Sequence, residues 1–243
     1  MKMITLLLVC PALTAMAAGP AERDLTFRST SKRGHLLELF TSEGCSSCPP
    51  AEKWMSQLKQ SPRLWREIVP VAFHVDYWDG LGWPDRFASK AFTARQRSYA
   101  ASWASRTVYT PGFVLDGREW QDRAEDRIPP LSGDAGVLSA VIRGRKTITV
   151  TYQADRAGRF EAHVALLGFG LSSNVKAGEN SGRKLLHDFV ALAHETKAMS
   201  MDAGSSRAEI SFPALNTGGE LGLAVWVTEA GKPQPLQAVG GKL

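Results

Sequence analysis

The feature that most constrains the fold is a pair of cysteines, Cys45 and Cys48, between an apolar run and a helical pattern. The apolar run from His35 to Phe40 predicts a short strand. Pro49 and Pro50 suit the first turn of a helix, where a missing amide donor costs nothing. Two cysteines at this spacing can close a disulfide or open to a dithiol with little backbone movement. The sequence therefore predicts a redox-active pair at the start of a helix.

The first 17 residues are typical of a secretory signal peptide. Lys2 gives the positive start, an apolar core follows, and Ala-Met-Ala at 15–17 gives a small-x-small cleavage site. A lipid-modified Cys10 is the alternative, which the bulky Val9 before it disfavours. The apolar run is too short to span a bilayer, so we expect no stable membrane insertion after cleavage. The expected location is periplasmic or secreted.

Cleavage would leave 243 − 17 = 226 residues, enough for one large or two small domains with an adequate core. Two remaining cysteines are too few for a disulfide scaffold. The formal charge of +5 becomes +4 without Lys2, and no run of five or more basic residues occurs. We expect no nucleic-acid partner. The sequence leaves the oligomeric state open.

Two predicted domains, residues 30–143 and 145–243, differ in their patterns. In the first, apolar runs alternate with helical patterns, which is typical of α/β units. Its elements include a strand at Val69–Val75, a helix at Ser89–Trp103 and a closing helix with Val137, Leu138, Val141 and Ile142. In the second, five strand candidates are separated by turn residues, which predicts a smaller antiparallel β-sandwich-like domain. Those candidates are residues 147–152, 160–167, 185–194, 208–212 and 221–227.

The element order of the first half resembles the thioredoxin fold, with its third strand entered through Thr110-Pro111. More narrowly, five segments resemble the boxes of an exported bacterial thioredoxin-like family of uncharacterised function. They are ELFTSEGCSSCPPAE, AFHVDYWDGLGWPD, AFTARQRSYA, VYTPGFVLDG and GENSGRKLLHD. The resemblance implies an α/β fold with a thioredoxin-like domain and a cis Pro111 that faces the cysteines. The sequence departs from thioredoxins at Gly44, where they carry Trp, and in the two prolines after Cys48.

The predicted chemistry assigns one role to each thiol. Cys45 is the expected nucleophile, ionised and reachable from solvent, because the open end of a helix favours a thiolate. Cys48 is the resolving thiol. Glu38 stands nearly where thioredoxins carry a buried acid, and would accept the proton of Cys48. The alternative for Glu38 is an ion pair at the strand edge, with Arg33 or Lys53.

Three further residues are predicted to contact substrate. By the resemblance, Pro111 lines the site and the backbone of Thr110 binds an extended substrate segment. His74 ends the second strand, where α/β sheets bind ligands, and would shape the rim of the cysteine site. The alternative for His74 is a structural histidine held by an aspartate partner.

These residues predict an exported thiol-disulfide oxidoreductase that acts on exported protein thiols or disulfides and needs no cofactor. Copper(I) binding or delivery by Cys45 and Cys48 is the leading alternative. Zinc is only weakly indicated, since there is no second cysteine pair and His187 and His194 are too far apart for one helical turn.

Two plainer alternatives remain. A structural disulfide is one, although in the chain-entropy model a four-residue loop gives only about 2 kcal/mol, against about 4.7 for a hundred residues. The other is an interaction protein whose second domain binds a partner through the loop from Gly178 to Arg183.

Overall fold

A computed structural model describes residues 24–122, 124–144, 147–212 and 219–243. The predicted signal peptide, residues 1–17, lies outside the described residues. The described part contains two α-helices, α1 (Cys48–Gln57) and α2 (Lys90–Ser102), and no helix in it is long and apolar enough to cross a bilayer. Short 3-10 helices cover Leu58–Gln60, Asp76–Leu81 and Glu125–Arg127. The strands are β1 (Leu25–Arg28), β2 (His35–Thr41), β3 (Ile68–His74), β4 (Gly112–Leu115), β5 (Arg118–Glu119), β6 (Val137–Arg143), β7 (Thr147–Gln153), β8 (Phe160–Gly168), β9 (Leu171–Asn174), β10 (Lys184–His187), β11 (Val190–Ala198), β12 (Ser200–Asp202), β13 (Ser205–Ser211), β14 (Leu221–Glu229) and β15 (Pro235–Lys242).

The described strands form two large sheets and a small one. The largest has eight strands in the order β15-β14-β8-β11-β3-β2-β4-β5. Within it β3 runs parallel to β2 and to β11, and the other neighbours are antiparallel. The second sheet is antiparallel, in the order β1-β6-β7-β13-β12, and β9 pairs with β10 alone. One sheet thus contains strands from both halves of the sequence.

The predicted fold class, an α/β thioredoxin-like domain followed by a smaller antiparallel β-sandwich-like domain, is wrong. The protein is mostly β-sheet, with large mixed and antiparallel sheets and few helices. The strands after residue 145 do not form a separate sandwich, because β11 pairs with β3 at Val190 and Ala72 and continues the same sheet. The predicted boundary at 143–145 falls between β6 and β7, which pair with each other.

Local sequence explains several elements. β2 and β3 are buried along their whole length, as expected for strands covered on both faces. Helix α2 begins after Ser89, whose hydroxyl accepts a hydrogen bond from the amide of Ala91. Asp116 and Gly117 both have positive φ values and form the tight turn between β4 and β5. An Asp-Gly pair after an apolar run is typical of such a two-residue hairpin turn.

The predicted helix at Val137, Leu138, Val141 and Ile142 is instead strand β6. Its side chains alternate, with Leu138, Ala140 and Ile142 buried and the residues between them more exposed. β6 lies between β1 and β7 and pairs with both. Pairing with the distant β1 on one side and with the adjacent β7 on the other therefore overrides the helical spacing of the apolar residues.

The core has two parts. One lies with α1, α2 and the buried strands β2 and β3, and it includes Ala165 and Trp226. The other lies between the two large sheets and includes Val164 and Val225. Consecutive residues of β8 and β14 thus enter different cores, because side chains alternate across a strand.

Candidate functional site

The cysteine pair lies at the carboxyl end of β2, at the start of α1. Cys45 and Cys48 form a disulfide with their Cα atoms 5.5 Å apart. Cys48 is the first residue of α1, with Pro49 and Pro50 in the first turn, and its amide donates to the carbonyl of Cys45 at 3.2 Å. The hydroxyl of Ser47 lies 3.3 Å from Sγ of Cys45. The prediction of a cysteine pair at a helix start agrees with this geometry.

Both cysteines are buried, with exposed fractions of 1% for Cys45 and 0% for Cys48. The two serines between them, Ser46 and Ser47, are exposed. The expectation that the sulfur of Cys45 can be reached from solvent is therefore wrong for this conformation. A partner can reach it only if the segments around the disulfide move.

The disulfide turn is held by the segment 178–183, which connects β9 to β10 and is called the covering loop below. Asn180 is fully buried, and its side-chain amide donates to the carbonyls of Glu43 and Cys45 at 2.9 and 3.0 Å. The carboxylate of Glu179 accepts from the amide of Ser46 at 2.9 Å. The covering loop therefore binds the backbone on both sides of Cys45.

Trp78 links the cysteine turn to the residues predicted to contact substrate. Its indole N–H donates to Oγ1 of Thr110 at 2.8 Å, and the peptide bond between Thr110 and Pro111 is cis, as the resemblance implied. A Cβ added to Gly44 would lie 3.1 Å from Cβ of Trp78. This close approach explains why Gly44 precedes Cys45. Whether Thr110 and Pro111 contact substrate stays a prediction.

Glu38 is fully buried, but it points away from α1. Its carboxylate accepts from Nε of Arg95 at 2.6 Å and from the hydroxyl of Tyr99 at 2.5 Å, and both partners belong to α2. Glu38 therefore forms an ion pair, as the alternative predicted. Its partner is Arg95, and not Arg33 or Lys53, and the pair is buried. A proton-accepting role for Glu38 stays a prediction, and these contacts do not favour it.

Glu52 is the carboxylate that lies on the side of the cysteines. It stands four residues after Cys48 in α1, so both side chains share one face of the helix. It accepts from the hydroxyl of Thr41 at 2.6 Å and pairs with Nδ1 of His187. A buried acid and an imidazole therefore lie one helical turn from the resolving cysteine.

His74 is fully buried at the end of β3, beside Thr41 of β2. Its Nδ1 lies 2.6 Å from Oδ2 of Asp85, and the same carboxylate oxygen accepts from the amide of Glu43 at 2.8 Å. The alternative of a histidine with an aspartate partner therefore describes it well. Direct contact between His74 and a substrate stays a prediction, and its burial means that this conformation does not offer it.

The cluster around these residues is strongly ionic. Burial lowers the pKa of His187, but Glu43 and Glu52 outweigh it and raise that pKa to about 9. Burial raises the pKa of Glu43, but His187, Ser173 and Trp83 outweigh it and hold it below the ordinary value. The same holds for the pKa of Asp85, where His74 outweighs the effect of burial. Carboxylates therefore lie beside an imidazolium in this buried cluster.

One family description matches most of the chain. Residues 36–228 match the family described as "Protein of unknown function (DUF1223)". The chain belongs to the DUF1223 family. The prediction of an uncharacterised family is confirmed to that extent, and none of the curated proteins compared with this DUF1223 chain matches it significantly.

Two solved structures share the fold of this DUF1223 protein. One is the crystal structure of protein AGR_C_4864 from Agrobacterium tumefaciens, with 24% identity, a TM-score of 0.58, and coverage of 88% of this chain and 96% of that one. The other is HBP35 of Porphyromonas gingivalis, with 14% identity, a TM-score of 0.57, and coverage of 88% and 76%. At these identities the likeness shows the fold alone.

Sequence reasoning missed most of the residues that surround the cysteine pair in this DUF1223 chain. They are Glu43, Glu52, Asp85, Asn180 and His187. Only Glu52 carries a local signal, since it follows Cys48 by four residues on a predicted helix. His187 and Asn180 lie more than 130 residues from their partners along the chain, and only the sheet topology brings them together.

Proposed function

We propose that this protein is an exported thiol-disulfide oxidoreductase in which Cys45 and Cys48 exchange a disulfide with a partner protein. The observation that carries the proposal is the closed Cys45–Cys48 disulfide at the start of α1, beside the buried Glu52 and His187. A disulfide of this short span adds little stability, whereas a proton acceptor near the resolving thiol serves exchange.

In the reduced protein the thiolate of Cys45 attacks one sulfur of a partner disulfide. A mixed disulfide forms and one partner thiolate leaves. Cys48 gives its proton to the carboxylate of Glu52, since His187 is already protonated, and the thiolate of Cys48 then attacks Sγ of Cys45. The Cys45–Cys48 disulfide re-forms and the second partner thiolate leaves, so the partner is reduced and the pair is oxidised by two electrons. The opposite direction uses the same steps in reverse.

Access to Cys45 requires the covering loop to move, because both sulfurs belong to buried residues. The contacts that hold the loop on the cysteine turn are hydrogen bonds to backbone groups. Such contacts can open locally without unfolding the sheet. Exchange would therefore be slow with small thiols and faster with a partner that displaces the loop.

Mixed-disulfide trapping tests the proposal. A Cys48→Ala variant, expressed with its native leader, is expected to accumulate mixed disulfides through Cys45, which a Cys45→Ala variant would not form. The purified wild-type protein is expected to reduce a model protein disulfide after pre-reduction. If Cys48→Ala traps no partner and the native pair is reduced only when the whole protein unfolds, the disulfide is structural and the proposal fails.

A copper(I) site on Cys45 and Cys48, the alternative predicted from the sequence, would require the reduced pair. It stays a prediction.

A further inference from the structure

Five ionisable side chains meet in the interior next to the cysteine turn. Glu43, Glu52, His74, Asp85 and His187 each have an exposed fraction of 6% or less. They come from the end of β2, from α1, from the end of β3, from the segment before α2 and from β10. Burying so many charges is unfavourable unless they neutralise one another or hold an ion.

We propose that His74, His187 and Glu52, with Glu43 beside them, bind a divalent first-row transition-metal ion such as zinc. One donor atom from each of His74, His187 and Glu52 lies within 4.8 Å of the others. Bonds of about 2.1 Å to one ion place two donors at most about 4.2 Å apart. An ion that replaces the proton between Nδ1 of His187 and the Glu52 carboxylate would be bound by both, and small side-chain movements would bring the third donor, from His74, to it.

His74 has the arrangement of a metal ligand. Its Nδ1 is engaged by Asp85 at 2.6 Å, while its Nε2 is buried and has no hydrogen-bond partner. A ligating histidine commonly uses one ring nitrogen for a carboxylate and the other for the metal, because the carboxylate fixes the tautomer and orients the ring. A buried nitrogen with no partner is otherwise unfavourable. Asp85 would therefore position His74, and Nε2 would be the ligand atom.

His187 faces a carboxylate with each ring nitrogen. Its Nδ1 pairs with Glu52, and its Nε2 lies 3.2 Å from Oε1 of Glu43 without the alignment of a hydrogen bond. Oε1 of Glu43 has no hydrogen-bond partner, whereas Oε2 accepts from the indole of Trp83 at 2.6 Å. Nδ1 of His187 would therefore be the ligand atom beside Glu52, and Glu43 would orient the ring through Nε2, as Asp85 orients His74.

The donor types select the class of ion. Two imidazoles with carboxylates suit zinc and other divalent first-row metals, whereas calcium and magnesium prefer oxygen ligands alone and copper(I) prefers sulfur. The three carboxylates supply the negative charge that a divalent ion needs. This inference does not depend on thiol chemistry. A bound ion would occupy Glu52 and His187, so the proton transfer from Cys48 proposed above belongs to the metal-free protein. The sequence considered His187 only with His194, and zinc therefore was only weakly indicated there.

The test measures metal binding to a tag-free Cys45→Ser, Cys48→Ser double variant, so that no thiol can hold the ion. Chelator-treated protein is mixed with Zn²⁺ or Co²⁺, both in the native state and during refolding, since the site is buried. We expect one ion per chain with sub-micromolar affinity, a rise in the unfolding temperature, and visible absorption of Co²⁺ typical of nitrogen and oxygen ligands.

Two ligand variants and a matched control make the test decisive. His74→Gln and Glu52→Gln, each added to the double variant, are expected to weaken binding by about a hundredfold or more. His35→Gln is the control, because His35 also pairs through Nδ1 with an aspartate, Asp116, at 2.6 Å, but lies outside the cluster. Circular dichroism shows which variants fold.

Absence of binding to the parent protein, or binding that both folded ligand variants retain, would overturn the proposal. Either result leaves the thiol-exchange proposal untouched, because the cysteines are absent.

Discussion

The side chain of Asn180 donates to the carbonyl of Cys45 at 3.0 Å, and this contact joins two segments 135 residues apart. Asn180 is fully buried and also donates to the carbonyl of Glu43. The covering loop is therefore attached to the backbone of the cysteine turn itself. The second half of the sequence thus holds in place the backbone of a disulfide turn encoded in the first half.

Replacing Asn180 by alanine is expected to speed reduction of the disulfide in the native protein. Two buried hydrogen bonds together contribute about 1 to 3 kcal/mol. Since about 1.4 kcal/mol corresponds to a tenfold change in an equilibrium constant, the open form should become at least about fivefold more populated. The measurement is the rate of reduction by dithiothreitol, followed by thiol labelling.

Ser181→Ala is the matched control for that rate. The hydroxyl of Ser181 donates to the carbonyl of Lys176, which lies in the same connection between β9 and β10. Low concentrations of urea separate local opening from global unfolding, since local opening exposes little surface. Equal reduction rates in wild type, Asn180→Ala and Ser181→Ala would show that the covering loop does not limit access.

Glu38→Gln is expected to destabilise the fold. Glu38 is fully buried against Arg95, so the variant leaves the guanidinium without its counter-charge. Removing one partner of a buried ion pair typically lowers the free energy of unfolding by about 3 to 5 kcal/mol. The measurement is the free energy of unfolding from urea titration, with the fold checked by circular dichroism.

Asp134→Asn is the control for a pair on the surface. Asp134 contacts Lys32 at 2.9 Å, and both side chains are more than half exposed. Such pairs contribute less than about 1 kcal/mol. If both variants lose similar, small amounts of stability, burial does not strengthen the Glu38–Arg95 pair as argued.

Local signals predicted the elements around the cysteines well. The apolar runs of β2 and β3, Ser89 before α2 and the Asp116-Gly117 turn are each specified by a few adjacent residues. The spacing of the cysteines likewise predicted their disulfide. Each of these predictions needed information from one short segment only.

Features that depend on distant pairing were missed. β6 has the apolar spacing of a helix, but pairing with the distant β1, and with the next strand β7, makes it a strand. The pairing of β11 with β3 joins a strand of the second half of the sequence to a sheet that contains strands of the first half, and no local pattern predicts it. Glu38 is buried, but its partner lies on α2, 57 residues away. The position of a carboxylate along a strand does not reveal which element covers its face.

Gln237→Leu is expected to weaken the connection between the last strand and the first half of the chain. Gln237 is fully buried, and its amide oxygen accepts from the backbone N–H of Gly34 at 2.7 Å. Its amide nitrogen donates to the carbonyls of Thr30, Lys32 and Gly136. Leucine has a similar size but leaves the buried N–H of Gly34 unpaired, and a buried unpaired group costs about 1 to 3 kcal/mol.

Urea unfolding measures that loss, and Gln234→Leu is the control, because Gln234 makes an exposed hydrogen bond to Ser102. We expect a single cooperative transition in wild type and a midpoint lowered strongly by Gln237→Leu but hardly by Gln234→Leu. Equal midpoints for the two variants would contradict the role given to Gln237.

Acid is expected to destabilise the fold through two histidines of the largest sheet. His163 and His194 lie beside the ring of Trp226, with ring centroids 5.2 and 5.1 Å from it. Burial, and then the nearby Arg95, lower the pKa of His163 well below 6.5 and that of His194 to about 3. The imidazole of His194 is therefore neutral in the folded protein at pH 5, where it is protonated in the unfolded chain, and the shift of His163 acts in the same direction.

The sign of the pH dependence follows from this difference. Between about pH 6.5 and pH 3 the unfolded chain binds more protons at His194 than the folded protein does, so the free energy of unfolding falls as the pH falls, by up to about 1.4 kcal/mol per pH unit for this histidine. His194→Phe keeps a ring beside Trp226 but cannot bind a proton, so its unfolding free energy should fall less between pH 7 and pH 4.5 than that of wild type. Urea titrations at the two pH values measure this slope, and the unfolding free energy at pH 8 corrects for any change in packing.

The ring proton signals of His194 in wild type should stay constant from pH 7 to pH 4.5, and a titration midpoint near 6.5 would show that the imidazole is not held neutral.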